Sequence, residues 1–294
     1  MSLVLGGGRI EGSTRTLILG ASGMLGQAVE AHWRERGASV LALGREQADI
    51  TQASAVAAAV TGFRPSLIVN CAALTRVDDC EGERPLAMAV NGEAVGNVVS
   101  AAAAVHAVLI QISTDYVFDG EGDSPHAEDS PVAPKSVYGA SKLEGERQAS
   151  SYPDSLIVRT SWLFGPGGPN FVDTILRLLG EGPHPLRVVD DQIGCPTYTP
   201  YLAAALWDLA DRGATGLVHY RNAPSTSWHG FAIEVARLSG SSEEILPVST
   251  GEMPCPAPRP AYSVLAVEIL EKALGRRVEP WKDGLAEYLR SKRG

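Results

Sequence analysis

Short, uniformly apolar runs alternate with longer segments of helical periodicity through the first half of the chain. The apolar runs at 16–19, 39–43, 66–69, 107–112 and 155–158 predict strands, and the segments at 24–36, 52–60, 85–104 and 137–150 predict helices. Strands that are apolar on both faces are typical of a parallel sheet covered by helices on both sides. Right-handed crossovers make such a sheet doubly wound, so the pattern predicts an α/β fold with a Rossmann-like sheet.

The alternation loosens after about residue 163. Loops are indicated at 165–169 and 251–260, the second with four prolines. Further helices are expected at 170–180, 199–211, 228–238 and 281–290, with a strand at 216–220. We therefore predict a glycine-containing flexible leader over 1–14, a dinucleotide-binding domain over 15–163, and a smaller C-terminal α/β substrate lobe over 164–294. A strand of the lobe could return to the Rossmann-like sheet.

Composition narrows the class of protein. The 294 residues are 45% hydrophobic and 20% charged, which is typical of a globular protein. The net charge of −9 argues against a general partner among nucleic acids or anionic membranes. Four cysteines without a C-x-x-C pair predict a reduced, cytoplasmic protein with no metal site. No signal peptide and no uninterrupted apolar run of membrane-spanning length is present, so no membrane span is expected.

A glycine-rich loop follows the first strand and opens the first helix. Gly20, Gly23 and Gly26 have the spacing G-x-x-G-x-x-G. Glycines at such a turn let backbone N–H groups approach a pyrophosphate at the helix N-terminus. The alternative is a strand–helix turn without a ligand, but the position between strand and helix favours a dinucleotide.

The end of the second strand bears on which dinucleotide binds. It reads Leu43-Gly44-Arg45 and lacks the carboxylate that holds the ribose of NAD(H). Arg45 could accept a 2′-phosphate, so NADP(H) is preferred and NAD(H) is possible, unless Arg45 is only a solvated surface charge. Asp49 and Ile50 could hold adenine. The small residues Ala72 and Ala73, after the third strand, would leave room for the ribose and diphosphate.

Candidate catalytic residues lie after the fourth strand. Tyr138 and Lys142 share one face of the helix at 137–150, and an ammonium nearby would lower the tyrosine pKa. Thr114 ends the fourth strand, where its hydroxyl could bind a substrate carbonyl. The alternatives are a solvated Tyr–Lys pair and a strand-end cap. Asn91 is expected either to position a water molecule behind Lys142 or to cap its helix.

Four longer segments make the chain resemble a known family. They are Ser113-Thr-Asp-Tyr-Val-Phe-Asp-Gly120, Val137-Tyr-Gly-Ala-Ser-Lys-Leu-Glu-Gly-Glu146, Arg159-Thr-Ser-Trp162 and Asp191-Gln-Ile-Gly-Cys-Pro-Thr197. From about Arg15 to the C-terminus the chain resembles the extended short-chain dehydrogenase/reductase superfamily and, within it, the dTDP-4-dehydrorhamnose reductases. The Y-x-x-x-K pair is common in the superfamily, whereas the S-T-D-Y-V-F and R-T-S-W strings are much more specific.

The resemblance implies NADP(H)-dependent reduction of the C4 keto group of a dTDP-4-keto-6-deoxyhexose. It implies a triad of Thr114, Tyr138 and Lys142, with Tyr138 as proton donor. The residues expected at the cofactor, from the residues and the resemblance together, are Gly20, Gly23, Met24, Leu25, Gly26, Arg45, Asp49, Ile50, Ala72, Ala73, Leu74, Thr75, Tyr138 and Lys142. Those expected at the substrate are Thr114, Asp115, Trp162, Asn170 and Arg259.

Departures from the family pattern leave alternatives open. Ala28 stands where some members carry a glutamate for a Mg²⁺ ion at their dimer interface, so that metal is not expected and the chain is a monomer or homodimer. Tyr262 stands where asparagine is commoner. A sugar-nucleotide dehydratase would carry Asp-Glu where this chain has Asp115-Tyr116, and an epimerase would leave the cofactor redox state unchanged. A regulatory β subunit of methionine adenosyltransferase is the non-enzymatic alternative.

Overall fold

The structure is a computed structural model, described here for residues 2–7, 14–182 and 185–292. The strands are β1 Val4–Leu5, β2 Arg15–Leu19, β3 Ser39–Leu43, β4 Leu67–Asn70, β5 Val108–Thr114, β6 Ser155–Thr160, β7 Leu163–Phe164, β8 Leu186–Val189, β9 Ile193–Gly194, β10 Thr197–Tyr198, β11 Ala214–His219, β12 Thr226–Ser227 and β13 Ile245–Val248. The helices are α1 Met24–Glu35, α2 Ala53–Phe63, α3 Val77–Gly82, α4 Arg84–Ala87, α5 Ala94–Val105, α6 Val137–Ser150, α7 Phe171–Glu181, α8 Thr199–Asp211, α9 Trp228–Ser239, α10 Glu268–Leu274 and α11 Trp281–Ser291. A π-helical segment, Met88–Glu93, joins α4 to α5.

Seven strands form the main sheet in the order β1-β11-β6-β5-β4-β2-β3. All pairs are parallel except β1 with β11. The order reverses at β2, which has β3 on one side and β4 on the other, and such a switch point opens a crevice at the carboxyl ends of the strands. The predicted doubly wound fold is confirmed, and its crevice places the site.

The predicted boundary at residue 163 does not separate two contiguous units. β11 pairs in parallel with β6 and completes the main sheet. α8 packs on α1, where the Trp33 indole donates to Ala203 O at 3.1 Å, and α10 packs into the same core. The sequence analysis assigns the segments of α8, β11 and α10 mainly to the substrate lobe, although it allows one strand to join the main sheet. In the structure β11 joins that sheet by strand pairing, and α8 and α10 pack into its core.

The smaller lobe is built from α7, α9, α11 and the parallel pair β8–β13. Its core is strongly aromatic: Phe164, Tyr198, Phe231, Trp281 and Tyr288 are all buried. Their ring centroids lie between 5.2 and 6.5 Å apart in successive pairs. Aromatic rings of this size give a small lobe a large buried apolar surface.

Part of the segment predicted as a flexible leader is an edge strand. Val4 and Leu5 pair antiparallel with Thr215 and Ala214 of β11. Residues 1 and 8–13 of that segment lie outside the described residues. Two paired residues are too short a run for the apolar pattern to reveal.

One continuous helix in the described part of the chain, Arg84–Val105, has the length and apolar composition of a membrane crossing. Core helices of globular proteins meet the same two criteria, so this finding does not contradict the expectation of no membrane span. Its buried residues Ala94, Val98 and Ala102 pack into the core cluster that also holds β2 and β4 residues. Packing against the sheet explains the apolar face of this helix.

Candidate active site

A cavity of about 630 Å³ opens at the carboxyl edge of the main sheet. All the residues expected at the cofactor line it, and so do three of those expected at the substrate. The lining residues predicted from sequence are Gly20, Gly23, Met24, Leu25, Gly26, Arg45, Asp49, Ile50, Ala72, Ala73, Leu74, Thr75, Thr114, Asp115, Tyr138, Lys142 and Trp162. One continuous cavity thus joins the glycine loop to the candidate catalytic residues.

The glycine loop is shaped by close backbone contacts. Gly20 has φ +73°, and a Cβ there would lie 2.5 Å from the Ala72 nitrogen. A Cβ on Gly26 would lie 2.5 Å from Gly20 O. α1 begins at Met24, and no side chain caps its N-terminus. The first N–H groups of α1 therefore remain available to an anion, which fits a pyrophosphate.

The far end of the cavity carries one cationic side chain. Arg45 is 77% exposed, and its Nε lies 3.3 Å from Asp49 Oδ2. Asp49 accepts from Thr51 N at 2.9 Å and from Thr51 Oγ1 at 2.7 Å, and these bonds lower the pKa of its carboxyl. Ile50 is buried beside them. A guanidinium held loosely at this position fits a 2′-phosphate.

The Asn91 side chain fixes the loop that follows β4. Its Oδ1 accepts from Leu74 N at 2.7 Å, and its Nδ2 donates to Leu74 O at 3.0 Å. The same Nδ2 donates to Ser141 Oγ at 3.0 Å. Asn91 lies inside the π-helical segment, so the expectation of a helix cap is wrong. The amide ties the candidate cofactor loop to α6.

Tyr138 lies in the first turn of α6, at the end of β5. Ser136 caps this helix by accepting from Gly139 N at 3.1 Å. Burial raises the pKa of the phenol, and the Thr114 side chain acts against this rise. The expectation that the pKa of Tyr138 is lowered is therefore wrong in direction, because burial outweighs the groups that lower it.

The Lys142 ammonium donates to Ile112 O at 2.6 Å. Burial lowers the pKa of Lys142 to about 8, whereas Glu146 and Cys71 act to raise it. A lysine in this state is charged through the neutral range and loses its proton at mildly basic pH.

Asp115 places a carboxylate directly beside Thr114. Thr114 Oγ1 donates to Asp115 Oδ1 at 2.9 Å, whereas Asp115 Oδ2 is buried without a hydrogen-bond partner among the described residues. Burial raises the pKa of this carboxyl to about 6, whereas the hydroxyl side chains of Ser263 and Thr114 act to lower it. Asp115 lines the cavity, so its carboxyl can accept a hydroxyl group from a ligand.

Trp228 is a residue of this site that the sequence predictions missed. Its ring stacks on Trp162 with centroids 3.5 Å apart and planes 4° apart, and both line the cavity. Trp162 has φ +45°, and a Cβ on Gly194 would lie 2.4 Å from its ring. The string Ser227-Trp-His-Gly-Phe-Ala232 is the only signal the sequence gives for Trp228.

The structure does not bring two expected substrate residues to the cavity. Asn170 caps α7, accepting from Asp173 N at 3.1 Å and donating to Tyr288 Oη at 3.0 Å. Arg259 donates to Asp78 Oδ2 at 2.6 Å and lines a separate recess of about 50 Å³ beside Tyr116. Both side chains are engaged within the protein.

Metal-ligating side chains do not cluster in the described ranges 2–7, 14–182 and 185–292: no group of three or more His, Cys, Asp or Glu could hold an ion there. The cysteines at 71, 80, 195 and 255 are free thiols. The candidate catalytic side chains that line the cavity supply a phenol, an ammonium, a hydroxyl and a carboxylate.

Comparison with known proteins gives a family model and relatives in sequence. The family model described as RmlD substrate binding domain matches residues 14–293. A dTDP-4-dehydrorhamnose reductase of Streptomyces griseus is 46% identical over 281 residues, covering 93% of this chain and 92% of the relative.

Solved structures of proteins with the same designation also match. One from Clostridium acetobutylicum has a TM-score of 0.92 at 39% identity, covering 96% of this chain and 100% of its own. One from Bacillus anthracis, solved in complex with NADP, has a TM-score of 0.91 at 37% identity, covering 95% and 99%.

Proposed function

The chain belongs to the RmlD substrate binding domain family, and on this basis we propose that it is an NADP(H)-dependent reductase. Its substrate is the C4 keto group of a dTDP-4-keto-6-deoxyhexose. The observation that carries the proposal is the single cavity that joins an uncapped helix N-terminus at a glycine loop to Thr114, Tyr138 and Lys142.

Tyr138, Thr114 and Lys142 each have a separate role in the reaction. Bound NADPH supplies the hydride that adds to the carbonyl carbon. Tyr138 donates its proton to the carbonyl oxygen, so that the ketone becomes a secondary alcohol. The raised pKa of Tyr138 keeps the phenol protonated before the transfer. Thr114 orients the carbonyl, and the Lys142 ammonium stabilises the phenolate that remains and binds the cofactor ribose.

The cofactor lies along the candidate residues of the Rossmann-like sheet. The pyrophosphate takes the N–H groups at the start of α1, and Arg45 takes the 2′-phosphate. Asp49 and Ile50 hold the adenine end, and the loop at 72–75 lies against the ribose and diphosphate. The NADP complex of the Bacillus anthracis relative supports this choice of dinucleotide.

The substrate lies between the sheet and the smaller lobe. The Asp115 carboxyl, which lines the cavity, accepts a sugar hydroxyl. Trp162 and Trp228 give a flat apolar surface to the sugar nucleotide. We assign the dinucleotide to residues 15–163 together with α8, β11 and α10. The lobe formed by α7, α9, α11, β8 and β13 then closes on the sugar nucleotide.

Two rival activities on this fold differ in their chemistry. Tyr116 follows Asp115 where a dehydratase carries a glutamate, and burial raises the pKa of Tyr116 to about 12, so it is no base at neutral pH. A regulatory subunit needs no catalytic residues, yet Thr114, Tyr138 and Lys142 all line the cavity. We place the protein in the cytoplasm, where its free thiols stay reduced, working as a monomer or homodimer without nucleic acid or membrane.

The test is a panel of dTDP-4-keto sugars offered with NADPH and with NADH. We expect loss of the reduced-nicotinamide absorbance, faster with NADPH, and NMR detection of a 4-hydroxy product. Interconversion of sugars without net cofactor oxidation would instead indicate an epimerase. Capture of a synthetase partner with no turnover would indicate a regulatory subunit.

A further inference from the structure

The end of β5 is fastened to α6 by two side-chain hydrogen bonds. Lys142 Nζ donates to Ile112 O at 2.6 Å, and Ser113 Oγ donates to Glu146 Oε1 at 2.6 Å. Tyr138 lies four residues before Lys142, and Glu146 lies four residues after it. Four-residue spacing puts the helix residues on one face. The Tyr–Lys pair therefore has a third member, Glu146.

Glu146 is held in a buried ion pair. Arg159 Nε and Nη2 donate to the two carboxylate oxygens, each at 2.8 Å. The Glu146 side chain is 7% exposed and that of Arg159 is 5% exposed. Two parallel donors and the Ser113 hydroxyl leave the carboxylate one orientation.

Arg159 is in turn fixed from other elements. Its guanidinium lies 5.0 Å from the centroid of the Phe118 ring, and its Nη1 lies 3.4 Å from His219 Nε2. Burial and the Arg159 charge lower the pKa of His219 to about 3, so this imidazole is neutral. Arg159 Nη1 also lies 3.5 Å from Glu128 O. The guanidinium cannot follow the carboxylate if α6 shifts.

The Glu146 carboxylate thus lies near two buried cations, Arg159 and Lys142. Of the charged or titratable groups in the described structure that act on Lys142, Glu146 comes from α6 and the Cys71 thiol from the loop after β4. β5 contributes the Ile112 carbonyl, a neutral acceptor. Burial opposes the charge on Lys142, and the Glu146 carboxylate is the anion that favours it.

We propose that Glu146 is a positioning residue for Lys142: locked by Arg159 and Ser113, its carboxylate holds the lysine turn of α6 against β5 and balances the ammonium charge. The inference rests on the proposed function, in which Lys142 supports Tyr138. Glu146 itself lines no part of the cavity and acts through Lys142.

The central test changes the buried charges in two ways. Glu146→Gln alone would leave Arg159 buried without a carboxylate, so it is combined with Arg159→Met to remove both charges. Arg159→Met alone keeps the carboxylate for Lys142. The matched control is Glu144→Gln, which alters a partly exposed pair with Arg147 on the same helix.

Two readouts are taken on the full chain. The first is an NMR titration of carbon-labelled lysine side chains without any ligand. The chain has five lysines, so Lys142→Arg assigns the signal. The second is the dependence of kcat on pH with NADPH and the keto sugar that proves to be the substrate.

In the double variant we expect the Lys142 midpoint, and the basic limb of kcat, to fall by about 1 pH unit. In Arg159→Met the Lys142 midpoint should rise, because the Glu146 carboxylate stays and a neighbouring positive charge is removed. In Glu144→Gln the Lys142 midpoint should not change. An unchanged midpoint in a folded double variant overturns the proposal. If the double variant does not fold, the absence of a rise in Arg159→Met overturns it.

The lysine titration needs no sugar nucleotide. A wild-type protein that reduces no keto sugar, yet shows the expected Lys142 shifts, would refute the proposed function and keep the Glu146–Lys142 relation. Normal reduction of a keto sugar by the wild type, with the Lys142 midpoint unchanged in the variants, would refute the Glu146–Lys142 relation and keep the proposed function.

Discussion

Trp162 and Trp228 stack face to face, with ring centroids 3.5 Å apart. Trp162 follows the end of β6 in the main sheet, and Trp228 begins α9 in the smaller lobe. Because each side of the cavity supplies one ring, a displacement of the lobe separates the rings. The stack therefore couples the position of the lobe to the shape of the substrate side.

Trp228→Ala should raise KM for the sugar nucleotide about tenfold, because a stacked aromatic contact contributes about 0.5–1.5 kcal/mol beyond its buried area. The dissociation constant for NADPH should stay the same, since Trp228 stacks on the candidate substrate residue Trp162 and is not among the residues proposed to hold the cofactor. Steady-state kinetics and cofactor fluorescence measure the two constants. Trp207→Ala on α8 is the control, and an equal KM effect there would contradict the assignment.

Tyr138→Phe should lower kcat by about 10²–10⁴-fold, because the ring stays and only the proton donor is lost. NADPH affinity should change little. Tyr201→Phe removes a hydroxyl that donates to Glu287 at 2.6 Å, away from the cavity, and serves as control. Unchanged turnover in the Tyr138 variant, with the cofactor still bound, would remove Tyr138 from the mechanism.

Arg45→Ala should weaken NADPH binding by about ten- to a hundredfold and leave NADH almost unaffected, because hydrogen bonds to a charged group contribute about 1.5–3 kcal/mol. The measurement is KM for each cofactor. Arg34→Ala removes another exposed arginine, one that pairs with Glu30 on α1. If KM rises equally for both cofactors, Arg45 does not select the 2′-phosphate.

Asp115→Asn should stabilise the protein at neutral pH while weakening substrate binding. The folded-state pKa is raised from 3.8 to about 6, so the native state binds this proton more tightly than the unfolded chain. The free energy of unfolding then falls as pH rises between those values, and ionisation costs about 3 kcal/mol at neutral pH. Asp115→Asn cannot ionise, so the variant does not lose this free energy of unfolding at neutral pH.

The advantage of Asp115→Asn should therefore shrink as the pH is lowered from 6 toward 4. Chemical denaturation at a series of pH values measures it, with Asp119→Asn as a neighbouring control. A difference from wild type that does not vary with pH would mean that Asp115 does not titrate in this way.

Residues at strand ends were the most predictable. Thr114, Asp115 and Ala72 lie where apolar runs end, and parallel strands bring those ends to one edge. The glycine loop follows the same logic, because a strand, a tight turn and a helix are adjacent in the sequence. Local pattern therefore predicted strands β2 to β6 of the main sheet, whereas β1 was not predicted and β11 was assigned mainly to the C-terminal lobe.

Contacts made across the chain were not predictable. Trp228 meets Trp162 only after the lobe has folded, and Asn170 carries the same side chain whether it caps a helix or binds a ligand. Lys142 was expected to act on Tyr138, but a buried ammonium also needs an acceptor, and Ile112 O supplies it. The contacts of Trp228, Asn170 and Lys142 depend on tertiary packing, which the local pattern of residues does not predict.

The return of β11 to the sheet also bears on how the protein is made. During synthesis on the ribosome, β6 is complete at Thr160, but the strand that covers its open edge ends only at His219. An uncovered strand edge invites pairing with other chains. Val4 and Leu5, made earlier than β11, pair with it only after it appears. Both β1 and the edge of β6 therefore remain unpaired until β11 has emerged.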